Sequence, residues 1–103
     1  MAATDSVFDA LSDPTRRGLL SALGERGPAT ATDLAADLPV TRQAVSKHLA
    51  ALAEAGLVSS KRWGREVRYR LTPEPLSGAM AWMAGVGEQW DARLAALERQ
   101  LDR

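Results

Sequence analysis

A chain of 103 residues, 46% hydrophobic and 25% charged, is long enough for a single domain over residues 1–103 with a modest core. The absence of cysteine excludes disulfides, thiolate metal sites and cysteine nucleophiles, and no apolar run is long enough to span a membrane. Thirteen basic and thirteen acidic residues cancel, so it is the placement of charge, not its total, that bears on the partner.

The N-terminus, MAATDSVFDALSD, is acidic and lacks a basic segment followed by an apolar one. No secretory signal is read there, and the cytoplasm is the expected location. Within it TDSVFDALSD is a short helix with Val7, Phe8 and Leu11 as its apolar stripe. DPTRRGLLSALGERG follows with clear punctuation. Asp13 caps, Pro14 suits the first turn, and Gly27 lies past the last turn. Leu19, Leu20 and Leu23 form its buried side.

PATATDLAADLP is a third, short helix. Thr30 and Asp33 have the spacing of a capping box, with aspartate a shorter partner than glutamate. Leu34 and Leu38 face inward, and Pro39 prevents continuation. LPVT is then a tight turn into TRQAVSKHLAALAEAGLV, with Thr41 as N-cap and Gly56 just past the C-terminus. Val45, Leu49 and Leu52 recur at helical spacing, and Arg42, Gln43, Ser46 and Lys47 fall on the other side.

After Gly56 the period changes to alternation. LVSSKRW and EVRYRLT are two strand-like runs around Gly64-Arg65. Val67, Tyr69 and Leu71 point one way, Arg68 and Arg70 the other. Pro73 and Pro75 end this hairpin. From Glu74 onward a long helix carries Leu76, Met80, Met83, Val86, Trp90, Leu94, Leu97 and Leu101.

Residues 41–70 hold seven basic side chains (Arg42, Lys47, Lys61, Arg62, Arg65, Arg68, Arg70) against Glu54 and Glu66. That segment is about +5 and the remainder about −5. Such a split is the footprint of a polyanion-binding surface; a merely solvated basic face is the alternative. Two short helices joined by a tight turn, the second polar outside, form a helix-turn-helix over 30–55. The basic hairpin at 57–72 is its wing, and 74–102 is a C-terminal dimerisation helix. The expected fold is mainly α with a small hairpin (α+β): about five helices and a two-stranded wing. The second helix of such a unit places its first turns on base edges in the major groove. Arg42, Gln43 and Ser46 supply donors and acceptors there, and Lys47 suits a phosphate.

DALSDPTRRGLLSAL, TDLAADLPVTRQAVSKHLAALAEAGLV and GREVRYRLTP, in this order, resemble the ArsR family of winged-helix repressors, from about Val7 to Pro73. The resemblance implies a homodimeric transcriptional repressor of double-stranded DNA. It sets Gln43, Ser46 and Lys47 on the recognition-helix face and Gly64 and Arg65 at the wing tip. Thr41, Arg42, His48, Arg62 and Arg68 complete the candidate DNA-binding set. The family's thiolate sensors carry Cys-x-Cys-Asp-Leu where this chain has Thr30-Ala31-Thr32-Asp33-Leu34. Other members bind metal through C-terminal histidines and carboxylates. Here that helix has Glu88 and Asp91 but no histidine, and borderline metals want thiolate or imidazole. A non-metal branch, with no cofactor, is expected.

His48, the one histidine, has no second ligand or nucleophile beside it, so it is read as a packed or phosphate-contacting residue. No catalytic set is present, and the chain is not read as an enzyme. The apolar surfaces left for a two-fold interface are Val7, Phe8 and Leu11 at one end, and Met83, Val86, Trp90, Leu94 and Leu97 at the other. Met80, Trp82, Met83 and Trp90 are read as an interface or as the lining of an effector pocket. Gly85 and Gly87 inside a helix imply close helix approach or a bend. A winged-helix module that docks proteins instead of DNA is the competing reading; such a wing would more often expose an apolar patch.

Overall fold

The computed structural model describes residues 2–101. In chain order its elements are α1 (Ala2–Leu11), α2 (Pro14–Arg26), β1 (Ala29–Thr30), α3 (Ala31–Ala36), α4 (Arg42–Glu54), β2 (Val58–Trp63), β3 (Glu66–Leu71) and α5 (Glu74–Leu101).

The helix boundaries follow from side chains that satisfy orphan backbone groups. Asp13 accepts from the backbone N–H groups of Thr15 and Arg16 at 2.8 and 3.1 Å, and Pro14 opens α2. Thr30 and Asp33 make a complete capping box: the Asp33 N–H donates to Thr30 Oγ1 at 3.0 Å, and the Thr30 N–H to Asp33 Oδ2 at 3.2 Å. The shorter aspartate reaches because Thr30 also ends β1 in extended conformation, with ψ 164°. Thr41 caps α4 by accepting from Ala44 N–H at 3.1 Å. Gly56, at φ 77°, turns the chain out of that helix. The Leu57 N–H then reaches back to Leu52 O at 2.9 Å, the wrap-around bond of a glycine-terminated helix.

One core joins these elements. Val7, Leu19, Leu34, Val45, Leu49, Leu52 and Leu57 are all fully buried. Each such side chain contributes roughly 1.5–3 kcal/mol of transfer free energy. Val45, Leu49 and Leu52 lie on one face of α4 and hold that helix against α2 and α3, leaving its opposite face to solvent.

The sheet has three antiparallel strands in the order β1-β3-β2, where the sequence predicts only a two-stranded wing. Ala29 pairs with Tyr69 and Thr30 with Arg68. The two residues of β1 are too few to display a period of two, and their strand character comes from docking on β3. The pairing ties the wing's base to the start of α3.

Helix α5 spans 28 residues, about 42 Å of rise. Of its side chains only Ala79 is buried. Near its start it packs on α1, where the Phe8 and Trp82 rings meet edge to face with centroids 5.6 Å apart. The radius of gyration is 18.4 Å, against roughly 13 Å for a compact domain of this length, because the rest of α5 projects from the body. Met83, Val86, Trp90, Leu94 and Leu97 are all exposed along it. The expectation for Val7 needs correction. It is 0% exposed and sits inside the chain's own core, since its stripe on α1 is what α1 uses to dock. Phe8 and Leu11 are partly buried against the same core.

Candidate nucleic-acid interface

The exposed side of α4 carries Arg42, Gln43 and Lys47, with Ser46 half-buried beside them. Residues 42, 43, 46 and 47 fall within about 140° of arc on a helical wheel. Gln43, Ser46 and Lys47 make no side-chain hydrogen bond or ion pair among the described residues. Their donors and acceptors are open to a ligand. Thr41 has one lone pair of its hydroxyl oxygen engaged as the cap of α4, which leaves its O–H and the other lone pair for a ligand.

Arg42 is held differently. Its Nε–H donates to Thr32 Oγ1 at 2.9 Å, which leaves the two terminal nitrogens of the guanidinium fork without a partner among the described residues. His48 stands apart from the polar face. It is half-buried on the side of α4 turned to α2, where its Nδ1 accepts from Arg16 Nε at 3.3 Å.

The wing supplies the second wall. Gly64 has φ 61°, and Arg65 after it is not in the positive-φ region, the pattern of a type II′ hairpin turn. Arg62 Nε donates to Gly64 O at 3.2 Å across this turn. Cross-strand pairing places Ser60, Arg62, Val67 and Tyr69 on one face of the hairpin, and Lys61, Trp63, Arg68 and Arg70 on the other. Arg68 meets Glu66 at 3.3 Å, and Arg70 donates to Ser59 Oγ at 3.2 Å. Both Arg68 and Glu66 are exposed, so their attraction is weak and gives way readily to a phosphate.

Between α4 and the wing lies an open groove of about 650 Å³, bordered by Thr32, Asp33, Arg42, Ser46, Arg65 and Arg68. The backbone N–H of Thr30 holds the Asp33 carboxyl below the ordinary aspartate range, helped by the Thr30 hydroxyl and by Arg26 and Arg68. Asp33 is therefore ionised at neutral pH, its charge committed to the capping box. The groove has one wall on a rigid helix, where it meets the Arg42 guanidinium and the Ser46 hydroxyl, and another on a hairpin, where Arg65 and Arg68 stand with Glu66, Val67 and Tyr69. A helix so equipped fits the roughly 12 Å major groove of B-DNA, and cations at the wing suit the neighbouring phosphates.

The structure thus brings together Arg42, Gln43, Ser46 and Lys47 on one helix face, with Arg65 and Arg68 opposite. Sequence reasoning missed Thr32, Arg16 and Trp63. The ten-residue separation of Thr32 and Arg42 spans a turn and leaves no periodic trace. Trp63 carried a signal, an aromatic residue alternating with Lys61 in a strand whose partner face is Arg68 and Arg70. Among the described residues no group of three or more His, Asp or Glu side chains is arranged to hold a metal ion.

Comparison with known proteins bears on this site directly. Residues 11–60 match the model of a helix-turn-helix domain family. The arsenical resistance operon repressor of Escherichia coli (strain K12) is 35% identical over 101 residues, covering 94% of this chain and 83% of that protein. YuzN, an HTH-type transcriptional regulator of Bacillus subtilis (strain 168), is 43% identical over 82 residues, covering 74% and 89%. Among solved structures, an ArsR-like transcriptional regulator from Rhodococcus sp. RHA1 superposes with a TM-score of 0.81 at 47% identity, over 95% of this chain and 92% of that one. The chain belongs to the ArsR family of winged helix-turn-helix transcriptional regulators, and it is a DNA-binding regulator, not an enzyme.

Proposed function

We propose that the protein is a homodimeric repressor that binds an inverted-repeat operator in the cytoplasm. In this reading Arg42, Gln43 and Ser46 contact base edges from the major groove. Lys47, Arg62, Arg65 and Arg68 hold phosphates, with the Gly64 turn at the wing tip. His48 acts on Arg16 and, through it, on the seating of α4, and Thr41 acts as the cap. The observation that carries the reading is the groove itself: a polar helix face on which Gln43, Ser46 and Lys47 have no internal partner among the described residues and Arg42 is held only at its Nε, set across from Arg65 and Arg68 of the wing.

The dimer is supported by α5. Met83, Val86, Trp90, Leu94 and Leu97 form one exposed apolar stripe. A Cβ added at Gly85 or Gly87 would meet nothing within 4 Å, so nothing in the chain's own packing requires glycine there. Each costs a helix roughly 1 kcal/mol relative to alanine; Gly87 borders the apolar stripe, where the close approach of a second helix explains that cost, while Gly85 lies about 140° from the stripe's centre on the other side of the helix. A single reading helix spans few base pairs, and two-fold dimers place two of them on half-sites about 34–36 Å apart or multiples of that.

The E. coli relative is named for arsenical resistance. Soft ions are taken by thiolates, and this chain has no cysteine, so we assign it no metal signal. The test is selection of duplexes from a random pool, followed by sedimentation of protein and complex. An inverted repeat bound by two copies is expected. A stable monomer on one asymmetric site overturns the dimer, and no enriched duplex overturns the operator.

A further inference from the structure

We propose that Trp63 is a DNA-contacting residue, its ring packing on the sugar-phosphate backbone beside the site read by α4, with Lys61 and Arg68 on the flanking phosphates. The proposal rests on the DNA-binding role of the α4 and wing groove. Trp63 is the last residue of β2, directly before the turn, and is 56% exposed. Large aromatics are seldom left in water at a hairpin tip without a partner. Its only ring partners among the described residues are cations. Lys61 Nζ lies 5.1 Å and Arg68 Cζ 5.9 Å from the ring centroid, both within cation–π range. More than half of the Trp63 surface stays exposed beside them.

The surroundings select the occupant. Lys61, Trp63, Arg68 and Arg70 form a shallow concavity of about 360 Å³ with Pro28, Ser59 and Ser60; the one acid on this face of the hairpin, Glu66, lies across from Trp63 and pairs with Arg68 at 3.3 Å. A protein partner would meet three cations around one ring; a nucleic-acid backbone offers anions at its phosphates and an apolar sugar between them. Arg68 borders both this concavity and the α4 groove. Arg68 links the two surfaces, and in this proposal a duplex seated on α4 extends past Arg68 to Trp63. A ring packed on sugar carries no base information, so the contact adds affinity for every sequence alike.

The experiment uses the full chain labelled with 5-fluorotryptophan. Trp63, Trp82 and Trp90 give three fluorine resonances, and W63F identifies the first. A duplex selected from a random pool and a scrambled duplex of equal length are titrated separately. Both are expected to move the Trp63 resonance. W63A is expected to weaken both duplexes by about tenfold while keeping their affinity ratio and the salt slope, because an uncharged side chain releases no counterion. W63F is expected to restore most of the loss. Saturating DNA that leaves the Trp63 resonance in place, or W63A binding as tightly as the unmodified protein, overturns the proposal while DNA binding stands. Failure of both duplexes to bind the unmodified protein overturns the DNA reading and this proposal with it.

Discussion

Arg42, at the first turn of α4, donates its Nε–H to the hydroxyl oxygen of Thr32 on α3 across 2.9 Å. The bond holds one edge of the guanidinium plane, and the two terminal nitrogens of this exposed side chain form a fork with no partner among the described residues. That fork is the geometry for a bidentate acceptor, a guanine edge or a phosphate. Thr32 thus places a reading residue without being on the reading helix. An exposed arginine otherwise spreads over many rotamers, and ordering it on binding costs about 0.5–1.5 kcal/mol.

Thr32→Val keeps the shape of the side chain and removes the acceptor. It is expected to weaken the selected duplex by roughly 0.5–1.5 kcal/mol, the cost of ordering Arg42 anew. If Arg42 reads a base, the loss falls on the position it reads and the salt slope is unchanged; if it holds a phosphate, all sequences weaken alike. Thr32→Ser should behave as the unmodified protein. Competition binding against single-base operator variants separates these outcomes, and a valine variant with unaltered affinity removes Thr32 from the site.

Lys47 and Gln43 should separate by the same logic. Lys47→Ala is expected to weaken all duplexes similarly and to lower the slope of log K against log salt by about 1. Gln43→Ala should cost about 1–3 kcal/mol at one base position and leave the slope alone. Binding that ignores both salt and these substitutions would falsify the placement of α4 in the groove.

Two caps make the fold sensitive to acid. The Arg16 backbone N–H, followed by that of Thr15, holds the Asp13 carboxyl below the ordinary aspartate range, with His48 and Arg16 adding to the effect. Asp33 is lowered in the same direction by Thr30. A depressed folded-state pKa means that the unfolded chain binds more protons in this window. The stabilisation is present in full above the unfolded value of about 3.9 and is lost as pH falls through the folded values. Thermal melts from pH 7 down to pH 2 should therefore show stability falling on the acid side. Asp13→Asn with Asp33→Asn keeps a capping acceptor at each site but removes the titration, so its acid limb should be shallower. Parallel acid limbs would show that neither carboxylate matters to acid stability.

How much was legible in the sequence depended on the range of the interaction. Helix ends rest on contacts two to four residues apart, and Asp13, Thr30, Thr41, Gly27 and Gly56 are visible as punctuation. The core face of α4 is a repeat of Val45, Leu49 and Leu52, visible as a period. The strand β1 is neither, since Ala29 and Thr30 become a strand only against Tyr69 and Arg68, some forty residues on. Arg16 and His48 meet across 32 residues with no pattern linking them. Val7 shows a further limit. An amphipathic stripe announces that it will be buried, but not whether its own chain or a second copy does the burying.

Trp90 provides the test of that second kind of burial. On α5 the residues 83, 86, 90, 94 and 97 recur at intervals of three and four, within one narrow arc of the helix. None is covered by the chain, and Trp90, at 59% exposed, is the largest of them. It lies eight residues past Trp82, the last α5 ring seen to touch α1, on the part of α5 that projects from the body. Truncating it takes nothing from the core formed by Leu19, Leu34, Leu49 and Leu52. A buried aromatic near the centre of an interface contributes about 2 kcal/mol or more, which raises a dimer dissociation constant roughly thirtyfold. Trp90→Ala is therefore expected to shift sedimentation at micromolar concentration from dimer toward monomer while the circular dichroism of the body is retained. Operator affinity should fall with it, because a monomer engages only one half-site. Adding protein should recover binding along the same curve as dimerisation. If Trp90→Ala sediments as the unmodified protein does, the exposed stripe of α5 is not what joins two copies.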